Sequence, residues 1–127
     1  MIRCEKFAVY CLCDPRDGSI KYVGGSGEPW TRFRHHIGEA KTIQKWKWKP
    51  SPVYRWVCEL LKKKLVPVLY VMFWTTRLDA EATTIIKLRS QGHKLLNVYP
   101  GGRRLIDAGL APRYGVPYAQ KAQEVSA

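Results

Sequence analysis

The sequence predicts an α+β fold: a small three-stranded sheet, built from an N-terminal hairpin and one later strand, flanked by helices in the order β-β-α-α-β-α. Three observations predict it. Two short period-2 segments bracket a turn-rich pentapeptide, three stretches carry apolar residues at helical spacing, and one run near the middle is apolar without interruption.

In Phe7 to Cys13, Phe7, Val9, Cys11 and Cys13 fall on one face of a strand and Ala8, Tyr10 and Leu12 on the other. Asp14-Pro15-Arg16-Asp17-Gly18 is dense in turn residues, and Ile20 to Gly24 resumes the strand pattern, so the two segments read as a hairpin. Gly24-Gly25-Ser26-Gly27 ends the second strand, and Pro29 suits the first turn of a helix. The stripe Trp30, Phe33, Ile37 and Ala40 carries that helix to about Lys41. A basic and aromatic connector, Lys45-Trp46-Lys47-Trp48-Lys49-Pro50, follows. Ser51 as N-cap and Pro52 at the first helical position open a second helix with the stripe Val53, Trp56, Val57, Leu60 and Leu61, closed by Lys62-Lys63-Lys64. Pro67 to Thr75 is apolar on both faces, which predicts a strand covered on two sides. Thr76 and Asp79 resemble a capping box for a third helix that Gly92 ends, with Leu78, Ala82, Ile85 and Leu88 as its apolar face. Leu95 to Val98 reads as a short extended segment.

The 127 residues fit one domain, 1–102, with a C-terminal extension over 103–127 that reads as partly mobile. Against 22 Lys+Arg stand 10 Asp+Glu, a formal charge of +12. So large an imbalance on a small surface points to a polyanionic partner. The apolar run from Leu65 to Trp74 is too short to span a bilayer, so no membrane partner is expected. The charged N-terminus has no signal-peptide core, and Cys4, Cys11, Cys13 and Cys58 match no zinc-ribbon spacing. Together they predict reduced thiols and a cytoplasmic location, associated with DNA in a nucleoid or nucleus. Cys11 and Cys13 are either small apolar residues on one strand face or, with His35 or His93, part of a metal site.

Five positions stand out against this layout. Glu81 falls inside the apolar face of the third helix, where a carboxylate needs a cation, a metal or a cleft. Arg32 and His36 are one turn apart on the first helix and point the same way, as a solvated basic face or as part of a site. Tyr10 and Tyr22 lie on paired strands among apolar neighbours, where packing is the ordinary role of a tyrosine.

Ala8-Val9-Tyr10, then Tyr22-Val23-Gly24, then Ser26, Arg32, His36, Glu81 and Asn97 together resemble the GIY-YIG nuclease family over about Phe7 to Gly102. Ala8 stands for the first glycine of that pattern, and Val replaces Ile in both tripeptides. The resemblance implies a metal-dependent DNA endonuclease that hydrolyses phosphodiester bonds. One Mg²⁺ (or Mn²⁺) ion would be held by Glu81, the only protein carboxylate on it. Arg32 would clamp the scissile phosphate through its planar, permanently charged fork. Tyr10 would be the general base, Tyr22 would position the water or phosphate, and His36 would orient a tyrosine or share the proton. Gly24 and Ser26 would support the site, and Asn97 would hold the region of Glu81 by hydrogen bonding.

DNA contacts are expected outside this centre. Lys45, Lys47 and Lys49 alternate with Trp46 and Trp48, mixing phosphate neutralisation with stacking. Lys21 and the Arg103-Arg104 pair add further cations. The sequence carries no base-reading module, so recognition is either weak or supplied by a protein partner, with the chain itself a monomer or weak dimer. Two rival readings remain: a small basic nucleic-acid-binding protein on a nuclease-like fold without catalysis, and an interaction domain with an inactive site.

Overall fold

The computed structural model describes residues 3–46 and 51–98, with the backbone alone for 43–46. It contains β1 (Arg3–Cys13), β2 (Ile20–Ser26), α1 (Pro29–Trp46), α2 (Pro52–Lys62), β3 (Val68–Arg77) and α3 (Ala80–Ser90), the α+β order that the sequence predicts. The three strands form one antiparallel sheet in the order β2-β1-β3. No described helix is long and apolar enough to cross a membrane.

β1 is the central strand, and its alternation builds two cores. Phe7, Val9 and Cys11 pack with Val23, Ala80, Ile85, Leu88 and Leu95 on the α3 side. Tyr10 and Leu12 pack with Ala40, Val53, Trp56, Val57 and Leu60 on the α1–α2 side. Every residue from Phe7 to Leu12 is buried, and each large apolar side chain among them contributes roughly 1.5–3 kcal/mol by leaving water. Cys11 and Cys13 share the α3 side, with their sulfurs 3.8 Å apart and all four cysteines free. His35 is exposed on α1, and no three metal-ligating side chains are grouped among the described residues, so the structure does not gather the metal site considered for these cysteines.

The hairpin turn is tied to α2. Gly18, at a φ of 75°, donates its N–H to the Asp14 carbonyl, and the Asp14 N–H pairs with the Ser19 carbonyl. The buried Asp14 carboxylate accepts the Arg16 backbone N–H, the Arg16 guanidinium and the Trp56 Nε1–H at 2.7–2.9 Å. Arg16 reaches on to Glu59 at 3.0 Å.

Four sequence expectations are corrected. α1 does not stop near Lys41 but runs to Trp46, so Lys45 and Trp46 belong to the helix rather than to a connector. Trp30, expected in its apolar stripe, is exposed, because α1 turns His36 inward instead. β3 is not covered on two sides. It is an edge strand that exposes Val68, Tyr70, Phe73 and Trp74, and the doubly covered strand is β1. Finally, Thr76 is no cap. β3 continues to Arg77, Thr76 accepts a hydrogen bond from Arg3, and Asp79 takes the N-cap position of α3. Gly92, at a φ of 94°, closes α3 as expected, with its N–H on the Arg89 carbonyl.

Candidate active site

The register of β1 and β2 places Tyr10 opposite Gly24 and Leu12 opposite Tyr22, so Tyr10 and Tyr22 rise on the same face of the sheet. Their ring centroids are 6.5 Å apart. A Cβ on Gly24 would stand 2.5 Å from both Tyr10 Cζ and Tyr10 Oη, so only glycine lets the ring lie across the neighbouring strand. Ser26 ends this strand and accepts the Glu28 N–H at 3.0 Å, which turns the chain into α1. The sequence pattern Tyr22-Val23-Gly24 thus does three local jobs: a ring on the α1 face, a core valine on the α3 face, and room for Tyr10.

α1 lies over that face and delivers Arg32 and His36. His36 is buried, with its Nε2 3.1 Å from Tyr10 Oη and its ring edge-on to Tyr22 at 5.3 Å. Burial, then the charge of Arg32, pushes the His36 pKa down to about 4, so the imidazole is neutral near pH 7. The neutral imidazole shares this hydrogen bond with the Tyr10 hydroxyl through Nε2, its tautomer setting which of the two donates, and Nδ1 is buried with no hydrogen-bond partner among the described residues. Burial, reinforced by Tyr22 and Glu81, holds the Tyr10 phenol well above the usual tyrosine range despite the opposing pull of Arg32. Arg32 is partly exposed and lies among Tyr10, Tyr54, Tyr22 and Glu39; burial opposes its charge, and these acidic groups outweigh burial.

Glu81 stands in the first turn of α3, is 3% exposed, and is close enough to Tyr10 to disfavour a phenolate there. The five polar positions singled out in the sequence therefore come from β1, β2, α1 and α3. Tyr10, Tyr22, Arg32 and His36 form one cluster, and Glu81 lies within electrostatic reach of it. The donor set fits a single hard cation. The carboxylate of Glu81 offers the hard oxygen donor taken by an ion such as Mg²⁺, which binds through one or two carboxylates and keeps waters and phosphate oxygens.

Asn97 supports the site at a different place from the one expected. Its side chain pairs with the Val23 backbone like an added strand, Oδ1 accepting the N–H at 3.0 Å and Nδ2 donating to the carbonyl at 2.7 Å. It thus holds the edge of β2 beside Tyr22 and Gly24, not the region of Glu81. Arg89 of α3 donates to the Asn97 and Leu95 carbonyls and ties the same segment to the third helix.

Two residues of this cluster escaped the sequence reading. Tyr54 of α2 donates to the Glu39 carboxylate and sets its ring 5.8 Å from that of His36. Glu39 also lies 3.9 Å from Arg32. The signal for Glu39 was present: Arg32, His36 and Glu39 fall at i, i+4 and i+7, one face of a helix. Of the expected DNA contacts, Lys21 is half-buried on β2, where the register with β1 shifts. Lys47, Trp48, Lys49, Arg103 and Arg104, the boundary at 102 and the extension 103–127 lie outside the described residues, as do the side chains of Lys45 and Trp46.

Comparison of the chain with protein-family models, with curated proteins and with solved structures finds no match.

Proposed function

We propose that the chain is a metal-dependent DNA endonuclease of the GIY-YIG type. The observation that carries this reading is the gathering of Tyr10, Tyr22, Arg32 and His36 on one sheet face over Gly24, with Glu81 buried nearby. A core needs none of these polar groups. The +12 charge supplies the complementary argument for a polyanionic substrate.

Phosphodiester hydrolysis requires a held phosphate, a proton acceptor for the attacking water and a sink for negative charge. Arg32, partly exposed, holds the phosphate and faces the charge that develops on it. A divalent cation on Glu81, when bound, supplies Lewis-acid stabilisation of the phosphoryl and leaving oxygens.

Burial divides the work of the two tyrosines. Tyr10 is buried, with a raised pKa and its hydroxyl engaged by His36, whereas Tyr22 is only half-buried. We therefore give Tyr22 the contact with the attacking water. Tyr10 and the neutral His36 form the buried pair that fixes the position of Tyr22 and Arg32. This exchanges the two roles expected from the sequence.

The test is single-turnover cleavage by the full chain, with Mg²⁺, of duplex, nicked, flap and four-way DNA. Cleavage of at least one member supports the reading. Binding without cleavage of any member, in Mg²⁺ or Mn²⁺, favours the non-catalytic nucleic-acid-binding alternative.

A further inference from the structure

Among the described residues, β3 gathers four exposed large apolar side chains, Val68, Tyr70, Phe73 and Trp74. From Val68 to Thr76 it carries no charge, in a chain with 22 Lys+Arg. It is also an edge. β1 pairs with one side of it, and among the described residues no backbone hydrogen bond from another segment reaches the other side. Edge strands are ordinarily blunted by lysine, proline or an inward charge, and none of these occurs within Val68–Thr76. The register against β1 shifts twice along β3, between Phe73 and Val71 and between Arg77 and Thr75, and these irregularities are the edge-blunting device the run does carry.

The face of this strand is open as well. α3 packs mainly on the β1–β2 half of the sheet, through Val23, Val9 and Cys11, and of β3 only Met72 joins that cluster. Val68, Tyr70 and Phe73, paired with Cys13, Cys11 and Val9, fall on this side and are 49%, 64% and 41% exposed. Trp74, paired with Ala8, is 48% exposed on the opposite side.

We propose that β3 is a homodimer interface, in which a second copy of this chain pairs antiparallel with it and extends the sheet to six strands. Self-complementarity selects this occupant. Antiparallel pairing of Val68–Thr76 with its own copy about a two-fold axis sets only uncharged residues against one another, so no like charges are opposed. The exposed parts of Val68, Tyr70, Phe73 and Trp74 lie on both faces of the strand, so edge pairing covers only a share of them. The area removed stays below about 1,000 Å², the lower bound for a specific interface, so the dimer is weak and concentration-dependent. The +12 charge of each copy opposes it at low salt.

Analytical ultracentrifugation of the full chain, freed of nucleic acid, tests this from about 1 μM to about 500 μM at about 0.1 M and about 1 M NaCl. The expected result is a monomer–dimer equilibrium that strengthens with concentration and with salt, since screening relieves the charge while apolar burial persists. Tyr70→Lys and Phe73→Lys should each weaken the dimer at least about tenfold, with circular dichroism and Tm as in the wild type. Tyr70 is the more exposed of the two, so its variant decides the matter if Phe73→Lys perturbs the fold. A wild-type chain that stays monomeric throughout, or a dimer undiminished in Tyr70→Lys, overturns the proposal. Either outcome is independent of whether the chain cleaves DNA.

Discussion

Tyr10 and Gly24 are cross-strand partners, and the ring of the first occupies the space where a side chain on the second would stand. Gly24→Ala must therefore move the Tyr10 ring, and with it the hydroxyl that meets His36 at 3.1 Å. Overpacking of this kind costs about 1–3 kcal/mol. Thermal unfolding should show that loss, and cleavage should fall by about 10²-fold or more as the site is misplaced. Gly27→Ala is the control, because a Cβ there meets nothing within 4 Å.

The two tyrosines separate in kinetics. Tyr22 is half-buried, and Tyr22→Phe removes its hydroxyl but keeps the ring, so single-turnover cleavage should fall by about 10²–10⁴, the usual loss of a general base. Tyr10→Phe removes the hydroxyl bonded to His36 and should cost less, with DNA binding unchanged in both variants. A larger defect in Tyr10→Phe would return the base to Tyr10.

His36 predicts a pH dependence of stability. Its folded pKa, about 4, lies below the ordinary value of 6.5, so the unfolded chain binds the proton more readily. The stability of the neutral buried form is fully present above about pH 6.5 and is lost as pH falls toward 4, by an amount on the order of 3 kcal/mol. His36→Gln should flatten that part of the profile in denaturant titrations between the two values. An unchanged slope would show that His36 is not the titrating group.

Asp14 anchors the hairpin. The hydrogen bonds of Arg16, ahead of that from Trp56, hold its carboxyl far below the usual carboxylate range. Asp14→Ala leaves the Trp56 Nε1–H without its buried acceptor and releases Arg16, and should cost about 2–4 kcal/mol. Chemical denaturation measures it. A loss below about 0.5 kcal/mol, the range of an ordinary surface substitution, would contradict the anchoring role.

Most of the layout was legible in the sequence, and the gaps have physical causes. Alternation in Phe7–Leu12 revealed both faces of β1, because each residue there is buried by a different layer. The same apolar density in Pro67–Thr75 pointed to a covered strand, yet β3 is an edge. Composition reports the apolar character of a strand, whereas strand order is fixed by pairing. Glu81 was legible as a carboxylate on an apolar face, and it is buried. His36 was legible only as a neighbour of Arg32, since helical spacing does not say which of two adjacent histidines turns inward. The partner of Asn97 was not readable at all: its bonds to Val23 span 74 positions of sequence.

Glu81→Ala in a metal-dependent cleavage assay bears most directly on the nuclease reading. The purified wild-type chain should cut DNA in Mg²⁺ and stop in chelator, while Glu81→Ala should lose about 10³-fold or more in rate and bind the same DNA within about threefold, because the proposal assigns Glu81 to the reacting phosphate and affinity to the basic residues. Wild-type cleavage by Glu81→Ala, or DNA binding by the wild-type chain with no metal-dependent cleavage of any substrate, would contradict it.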